Sequence, residues 1–289
     1  MAEQQHPRPG AAPFTERTPR VAAARQLTQR SRRARAGRFL IEGAQAVAEA
    51  LAWAEHGRGR MHELFTVDAG NDLAERARRA GVAVSHVTER AAAGLSETVT
   101  PQGIVAVCDL VTVPLTEALQ QGGRLVAVCV GTADPGNAGT LIRVADAAGA
   151  DAVIFAGEGV DPHNGKAVRA STGSLFHLPI ARIPEPHDAI TACRGAGLRL
   201  LAADGHARDD LNVVDLGVPT AWLFGNEAHG LAAGVLDAAD AAVRVPIYGA
   251  AESLNLATAA AVCLYSSARA QHPLRTEPDT ACVARGTIT

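Results

Sequence analysis

Val243-Arg244-Val245-Pro246-Ile247-Tyr248-Gly249-Ala250-Ala251-Glu252-Ser253-Leu254-Asn255-Leu256-Ala257-Thr258-Ala259 opens an alanine-rich stretch that runs on to Ala270. Its apolar start predicts a short strand from Val243 to Ile247, and its glycine and small residues predict a turn from Tyr248 to Glu252. The Ala and Leu content behind them predicts a helix opening at Ser253. Ser253 is suited to be the N-cap, a side chain whose oxygen accepts from a backbone N–H of the first turn. A second junction of the same kind lies just upstream, where the apolar strand Ala221-Trp222-Leu223-Phe224 runs into Gly225-Asn226-Glu227-Ala228-His229-Gly230. Two strand ends that release small and polar residues into loops predict a pocket for a small ligand, because glycine lets the ligand approach backbone N–H and C=O groups closely.

Working outward, the near-continuous apolar run Leu125 to Val130 has the pattern of a strand buried on both faces of a parallel sheet. It leads through a loop at 131–139 into a helix from Thr140 to Ala148. Further strands are expected at Ala152 to Phe155, Leu175 to Ala181 and Arg199 to Ala203, with helical segments between most of them. That alternation predicts an α/β domain with a parallel sheet over 124–271. Ahead of it, strands at Arg38 to Gly43, Met61 to Val67, Val82 to Val87 and Ile104 to Leu110 alternate with helices at Ala44 to His56, Asn71 to Ala80 and Thr88 to Glu97. A smaller α/β domain over 17–110 is therefore expected, entered by a basic helix from Pro19 to Ala36 and followed by a linker at 111–123. Residues 1–16 and 272–289, rich in Pro, Thr, Gln and Gly, read as disordered.

Composition narrows the classes. A chain of 289 residues with 47% hydrophobic and 20% charged residues suits two domains with proper cores. No run of 18 apolar residues occurs and Met1 to Gly10 is polar, so neither a membrane span nor a secretory signal is expected. The five cysteines, Cys108, Cys129, Cys193, Cys263 and Cys282, are odd in number and widely spaced, which fits reduced thiols in a cytoplasmic protein. Neither they nor His163, His177, His206 and His229 have metal-ligand spacing, so no metal is expected. No GxGxxG follows a strand and no GxxxxGK[ST] loop exists, which excludes the common dinucleotide and nucleoside-triphosphate folds.

A net charge of −3 conceals an uneven distribution: eight arginines and no acidic residue lie between Arg17 and Arg38. Such a stripe is a phosphate-binding footprint or a solvated basic helix. Its arginines, with Arg25, Arg30, Arg32, Arg33, Arg35 and Arg38 foremost, are candidate RNA contacts. Lys166 is the single lysine of the chain.

Three segments of the second domain carry more information together than any one alone. They are Asp134-Pro135-Gly136-Asn137-Ala138-Gly139-Thr140-Leu141-Ile142-Arg143, Phe224-Gly225-Asn226-Glu227-Ala228-His229-Gly230-Leu231, and Val245-Pro246-Ile247 through Ser253-Leu254-Asn255-Leu256-Ala257. In this order and spacing they resemble the three signature motifs of the SpoU (TrmH) family of RNA ribose 2′-O-methyltransferases, over residues 124–270. Lys166 to Pro179, with Arg169, is similar to the family as well. Arg38-Phe39-Leu40-Ile41-Glu42-Gly43 and Thr100-Pro101-Gln102-Gly103 resemble the substrate-binding domain, similar to a ribosomal RNA-binding protein, that many relatives carry in front.

The resemblance implies a trefoil-knotted α/β catalytic domain of the SPOUT superfamily, preceded by a smaller α/β RNA-binding domain. It implies S-adenosyl-L-methionine as cofactor, a homodimer with the active site near the subunit interface, and structured RNA as substrate. Relatives with a full extra domain favour large-subunit ribosomal RNA, and their subgroup includes thiopeptide-resistance enzymes; transfer RNA is the alternative. By analogy Phe224, Gly225, Asn226, Gly230, Val245, Ile247, Ser253 and Leu254 line the cofactor pocket. Asn137, Glu227, Ser253 and Asn255 hold the motif loops or contact substrate, and Arg169 joins the RNA contacts. The resemblance implies a catalytic part for Arg143, in some relatives as the base. A guanidinium with a pKa above ~12 is a poor base, which favours orientation and electrostatic activation of the ribose hydroxyl and leaves the proton acceptor open. A non-catalytic relative would have lost Arg143, Asn137 or Ser253-Leu254-Asn255, and all are present. An enzyme acting on a small molecule would have no use for the arginine stripe.

Overall fold

The computed structural model describes residues 12–120 and 122–272. The expected disordered segments at 1–11 and 273–289, with Cys282, lie outside the described residues. Residues 12–16, also expected to be disordered, are placed: the Phe14 N–H donates to the His86 carbonyl (2.8 Å) and the Thr88 N–H to that of Phe14 (2.9 Å).

The basic segment is two short helices, α1 (Pro19–Arg25) and α2 (Arg30–Ala36), with a 3₁₀ turn at Gln26–Thr28 between them. The single helix expected there is broken because Leu27 turns inward and because Arg33, which a solvated stripe would expose, is buried at 3% exposure. Its Nη1 donates to the carbonyls of Leu27 (3.0 Å) and Thr28 (2.8 Å), which a broken helix leaves without intrahelical partners. Gly37, at φ 63°, ends α2 in the left-handed conformation that glycine adopts without strain.

The N-terminal unit follows as β1 (Arg38–Glu42), α3 (Ala44–Glu55), β2 (Met61–Thr66), α4 (Asp72–Arg79), β3 (Ala83–His86), α5 (Glu89–Gly94) and β4 (Ile104–Asp109). Its sheet has the order β1-β4-β2-β3, with β4 antiparallel to both neighbours and β2 parallel to β3. The helices α4 and α5 start where expected because Asn71 and Thr88 cap them, accepting from Ala74 and Ala91 N–H groups.

The remainder runs β5 (Thr112–Val113), α6 (Leu115–Ala118), β6 (Leu125–Val130), α7 (Pro135–Ala147), β7 (Ala152–Ala156), α8 (Gly165–Ser171), β8 (Ile180–Ile183), α9 (Pro186–Gly195), β9 (Arg199–Ala203), β10 (Asp209–Asp210), β11 (Thr220–Phe224), α10 (Ala233–Ala238), β12 (Ala241–Arg244) and α11 (Leu256–Gln271). All eight strands pair in parallel, in the order β10-β12-β9-β11-β6-β7-β8-β5. The central strands β6, β7 and β11 are buried almost throughout, as their unbroken apolar runs require. The stretch 111–123 is more than a linker, since β5 extends the sheet edge and α6 packs beneath it.

Three expected boundaries move, each for a local reason. Helix α7 begins at Pro135 because Asp134 caps it, accepting from the Asn137 N–H at 2.8 Å. Leu175 and Phe176 lie in a 3₁₀ turn, after Thr172 and Gly173 have taken left-handed backbone and before Pro179, so β8 starts only at Ile180. Strand β12 ends at Arg244, where Val245-Pro246 leaves the sheet; proline has no N–H for the ladder.

One apolar cluster passes through both units, from Phe39, Ile41 and Leu51 to Leu141, Ile142 and Phe176. Phe176 stacks on Phe39 and packs at a tilt on Trp53. A buried ion pair closes the same interface: Arg33 Nε and Nη2 reach Asp161 Oδ2 at 2.9 and 2.7 Å, with side-chain exposures of 4% and 12%. Asp161 Oδ1 accepts from the His163 backbone N–H, and His163 Nδ1 lies 3.1 Å from it. Because His163 Nε2 accepts from the buried Val111 N–H, Nδ1 carries the proton and donates to Asp161. Burial alone would raise the Asp161 pKa; hydrogen bonds from His163 and Arg33 outweigh it and hold the carboxyl well below the usual range.

Removing one member of a buried, hydrogen-bonded pair strands the other. Arg33→Ala is expected to cost about 3–5 kcal/mol in urea denaturation, against less than about 0.5 kcal/mol for exposed Arg32→Ala. The folded-state pKa of Asp161 is depressed, so its contribution is present above the unfolded value near ~3.9 and is lost as pH falls below it. Arg33→Ala should therefore also flatten the acid limb of stability against pH.

Candidate active site

The C-terminal ends of parallel strands leave their carboxyl-side loops on one edge of the sheet, where α/β folds place ligands. At β9, β11 and β12 these loops enclose a cavity of about 720 Å³, within the usual range of small-molecule sites. Phe224, Gly225, Asn226 and Gly230 line it from the β11 loop, and Val245, Ile247, Ser253 and Leu254 line it from the long connection between β12 and α11. Asn137, Glu227 and Asn255 stand on its rim.

Those three side chains form one hydrogen-bonded chain across segments far apart in sequence. Glu227 Oε1 accepts from Asn137 Nδ2 (3.0 Å) and from the Asp134 N–H (3.2 Å), while Oε2 accepts from the Ala133 N–H (3.1 Å). Asn137 Oδ1 accepts from Asn255 Nδ2 (3.0 Å), and Asn255 Oδ1 accepts from the Ala257 (2.9 Å) and Thr258 (3.4 Å) N–H groups at the start of α11. The chain has only one polarity. A carboxylate at one end can only accept and helix N–H groups at the other can only donate, so both amides are oriented without ambiguity. Burial pushes Glu227 up, but the hydrogen bonds from Asn137, Ala133 and Asp134 outweigh it and keep the carboxylate ionised at lower pH.

The cap of α11 is therefore Asn255, not Ser253 as expected. Ser253 lies two residues earlier, exposed on the cavity wall, and makes no hydrogen bond with the described residues. The carboxamide of Asn255 does both jobs at once, capping with its oxygen and tethering with its nitrogen.

Asn226 closes the β11 loop: Nδ2 donates to the Gly131 carbonyl at 2.8 Å, and its backbone exchanges two hydrogen bonds with Gly230. A Cβ on Gly225 would sit inside contact distance of the Gly230 and Leu231 backbone, so the loop closes only around a glycine. The sequence reading missed Ala203, Asp204 and Gly205, which line the cavity from the end of β9. An apolar strand running into Ala-Asp-Gly was the same signal as the two junctions that were recognised. Lys166 was left unassigned and pairs with Asp134 at 2.7 Å, lowering the Asp134 pKa beside the motif.

Arg143 lies outside this cavity. It is exposed on α7, one and a half turns beyond Asn137, and forms no hydrogen bond or ion pair with the described residues. Of the arginine stripe, Arg25, Arg30, Arg32, Arg35 and Arg38 are exposed. Arg33 is not available to a phosphate, because the Asp161 pair and two carbonyls consume its donors. Arg30 Nη1 donates to the Gly159 carbonyl at 3.2 Å. Gly159 and Asp161 belong to the loop after β7, so the stripe is anchored on the same sheet edge as the cavity. Arg169 spans the two units, pairing with Glu42 at 3.3 Å, and is partly exposed.

Burial pushes the thiols of Cys108, Cys129, Cys193 and Cys263 up, so none is poised as a nucleophile. Among the described residues there is no cluster of three or more His, Cys, Asp or Glu side chains arranged to hold a metal ion, and no helix long and apolar enough to cross a membrane.

Comparison with known proteins agrees with this geometry. Residues 124–265 match the SpoU rRNA Methylase family and residues 18–106 match the MRM3-like substrate binding domain. The chain is 34% identical over 241 residues to the 23S rRNA (guanosine(2553)-2′-O)-methyltransferase RlmP of Bacillus subtilis, covering 83% of this chain and 92% of that one. It is 35% identical over 253 residues to the 23S rRNA (uridine(2479)-2′-O)-methyltransferase of Streptomyces viridochromogenes, covering 84% and 86%. The crystal structure of an AdoMet-bound rRNA methyltransferase from Sinorhizobium meliloti superposes with a TM-score of 0.77 at 33% identity, covering 87% of this chain and 95% of that one. The protein belongs to the SpoU methyltransferase family and has its SPOUT fold.

Substitution separates the two cap assignments. Asn255→Ala removes a helix cap and should cost about 1–2 kcal/mol in chemical denaturation, whereas Ser253→Ala should stay within about 0.5 kcal/mol.

Proposed function

We propose that this protein transfers the methyl group of S-adenosyl-L-methionine to a ribose 2′-hydroxyl of large-subunit ribosomal RNA. The observation that carries the reading is the Glu227–Asn137–Asn255 chain, which ties the three family motifs around one cavity. The cavity suits the cofactor: glycine backbone at Gly225 and Gly230, apolar walls at Phe224, Val245, Ile247 and Leu254, and polar groups on the rim. When bound, the cofactor supplies a methyl group on a positively charged sulfur. The protein's part is positioning, worth up to about 7–11 kcal/mol when reacting groups are held in line.

Arg143 is assigned to the target ribose, and its position argues that it serves the cavity of a second subunit. It shares one face of α7 with Ala147, whose carbonyl accepts from the Tyr265 hydroxyl of α11 at 3.3 Å. Beside this face Val262 and Tyr265 are 36% and 48% exposed, apolar area suited to an isologous dimer contact. In such a homodimer Arg143 of the partner subunit completes each site. The trefoil knot belongs to the same reading: the chain leaves β12 beyond β9 and returns through the cavity wall to pack α11 on α7. The two functional units are taken as 17–110 for RNA binding and 124–271 for catalysis, supported by the family matches over 18–106 and 124–265. A cytoplasmic location fits a ribosomal substrate and four free buried thiols.

RNA approaches over the exposed arginines. Phosphate contacts from Arg25, Arg30, Arg32, Arg35 and Arg38 position it by charge while its folded shape selects it. Arg169 contributes where the two units meet.

Arg143→Ala should abolish methyl transfer to ribosomal RNA in a tritium assay while calorimetry still detects S-adenosylmethionine binding. Mixing it with Asn255→Ala should restore activity through hybrid dimers; no restoration would remove the cross-subunit assignment. Arg32→Ala, Arg35→Ala and Arg38→Ala should each reduce the slope of log affinity against log salt by about 1. Mapping 2′-O-methyl positions on ribosomal RNA from cells with and without the protein identifies the nucleotide, and an unchanged map would sink the ribosomal assignment.

A further inference from the structure

Aromatic side chains are few, at 3% of the sequence, and the structure spends nearly all of them inside. Phe39, Phe65, Trp222 and Phe224 are fully buried, and Trp53 and Phe176 pack between the two units. Tyr265 is half exposed but hydrogen-bonded to Ala147. Tyr248 differs from all of these. It is 88% exposed, makes no hydrogen bond with the described residues, and sits in the connection between β12 and α11 with Ile247 and Gly249, cavity-lining residues, on either side.

We propose that Tyr248 is a stacking platform for a base of the substrate RNA, either that of the target nucleotide or its immediate neighbour. The inference rests on the RNA 2′-O-methyltransferase reading. A ribose hydroxyl can enter the cavity only if its nucleotide leaves the regular helical stack, and a base so displaced loses its stacking partners. The base remains attached to the ribose, so it must lie at the cavity rim. The rest of the lining is glycine, alanine, proline, serine, asparagine, aliphatic and charged side chains, with the Arg244 guanidinium and the exposed His229 imidazole of the β11 loop as smaller planar groups, while Phe224 is enclosed at the floor. Tyr248 is the largest and most exposed aromatic ring beside the cavity among the described residues. Stacking accepts any base, so the contact would hold the nucleotide out without selecting its identity.

The test compares Tyr248→Ala, Tyr248→Phe and Tyr248→Trp with wild type on ribosomal RNA, which wild type must methylate for the underlying reading to stand. Tyr248→Ala should raise KM for RNA about fivefold to 150-fold, the span that loss of one stacked base implies. Phe and Trp should restore it, because stacking needs the ring and not the hydroxyl, and S-adenosylmethionine affinity should not move. Trp53 and Trp222 are buried, so the fluorescence of Tyr248→Trp should be quenched on RNA binding. A KM within twofold of wild type for Tyr248→Ala overturns the proposal, as does failure of Phe to rescue. If Tyr248→Ala instead becomes monomeric in light scattering, the ring belongs to a contact between subunits and the proposal fails, with the methyltransferase reading intact.

Discussion

Everything at the active site depends on a short polar relay: a carboxylate that only accepts, two carboxamides, and helix N–H groups that only donate. Glu227 and Asn255 come from loops and Asn137 from the first turn of α7, 90 and 118 residues before them in the chain. The two loops are rich in glycine and small residues and would be mobile alone. The relay joins the β11 loop to the start of α7 and the start of α7 to the start of α11. It thereby sets the shape of the wall that encloses the cavity. Two of its members also serve as hydrogen-bond partners to backbone at helix starts, so the site and the framework share the same atoms.

The same economy governs the contact between the two units. Arg33 sits in the most basic stretch of the protein, yet its charge is used internally, to pin α2 to the loop after β7. This anchoring brings the neighbouring exposed arginines to the carboxyl edge of the parallel sheet. A common apolar core through Phe39, Phe176 and Trp53 joins the two sheets.

Much of this was legible in sequence where the signal was local. Unbroken apolar runs such as Leu125 to Val130 identified parallel strands, and the three ordered motifs contain residues, among them Phe224, Gly225 and Leu254, that line one cavity. Errors arose where one residue's role depended on a distant neighbour. Ser253 has good cap chemistry, but α11 starts only at Leu256, where Asn255 caps it and is tied to Asn137. Arg33 looked like its neighbours until Asp161, 128 residues away, claimed it. Leu175 and Phe176 have strand-like side chains, yet the left-handed backbone at Thr172 and Gly173 and the aromatic contacts with the N-terminal unit held them in a turn.

By itself, the sequence determined the α/β class, the central strands of the parallel sheet, the motif loops and the concentration of arginine near the N-terminus. These follow from periodicity, propensity and residue order, which are properties of neighbours along the chain. Tertiary structure alone decided which arginines face water, which residue caps α11, that the loop after β9 joins the cavity, that Arg143 stands outside its own chain's cavity and that Tyr248 is left bare at the rim. Burial and hydrogen-bond partnership are set by groups that meet only when distant segments pack, and no local pattern encodes which of several equivalent side chains will be met.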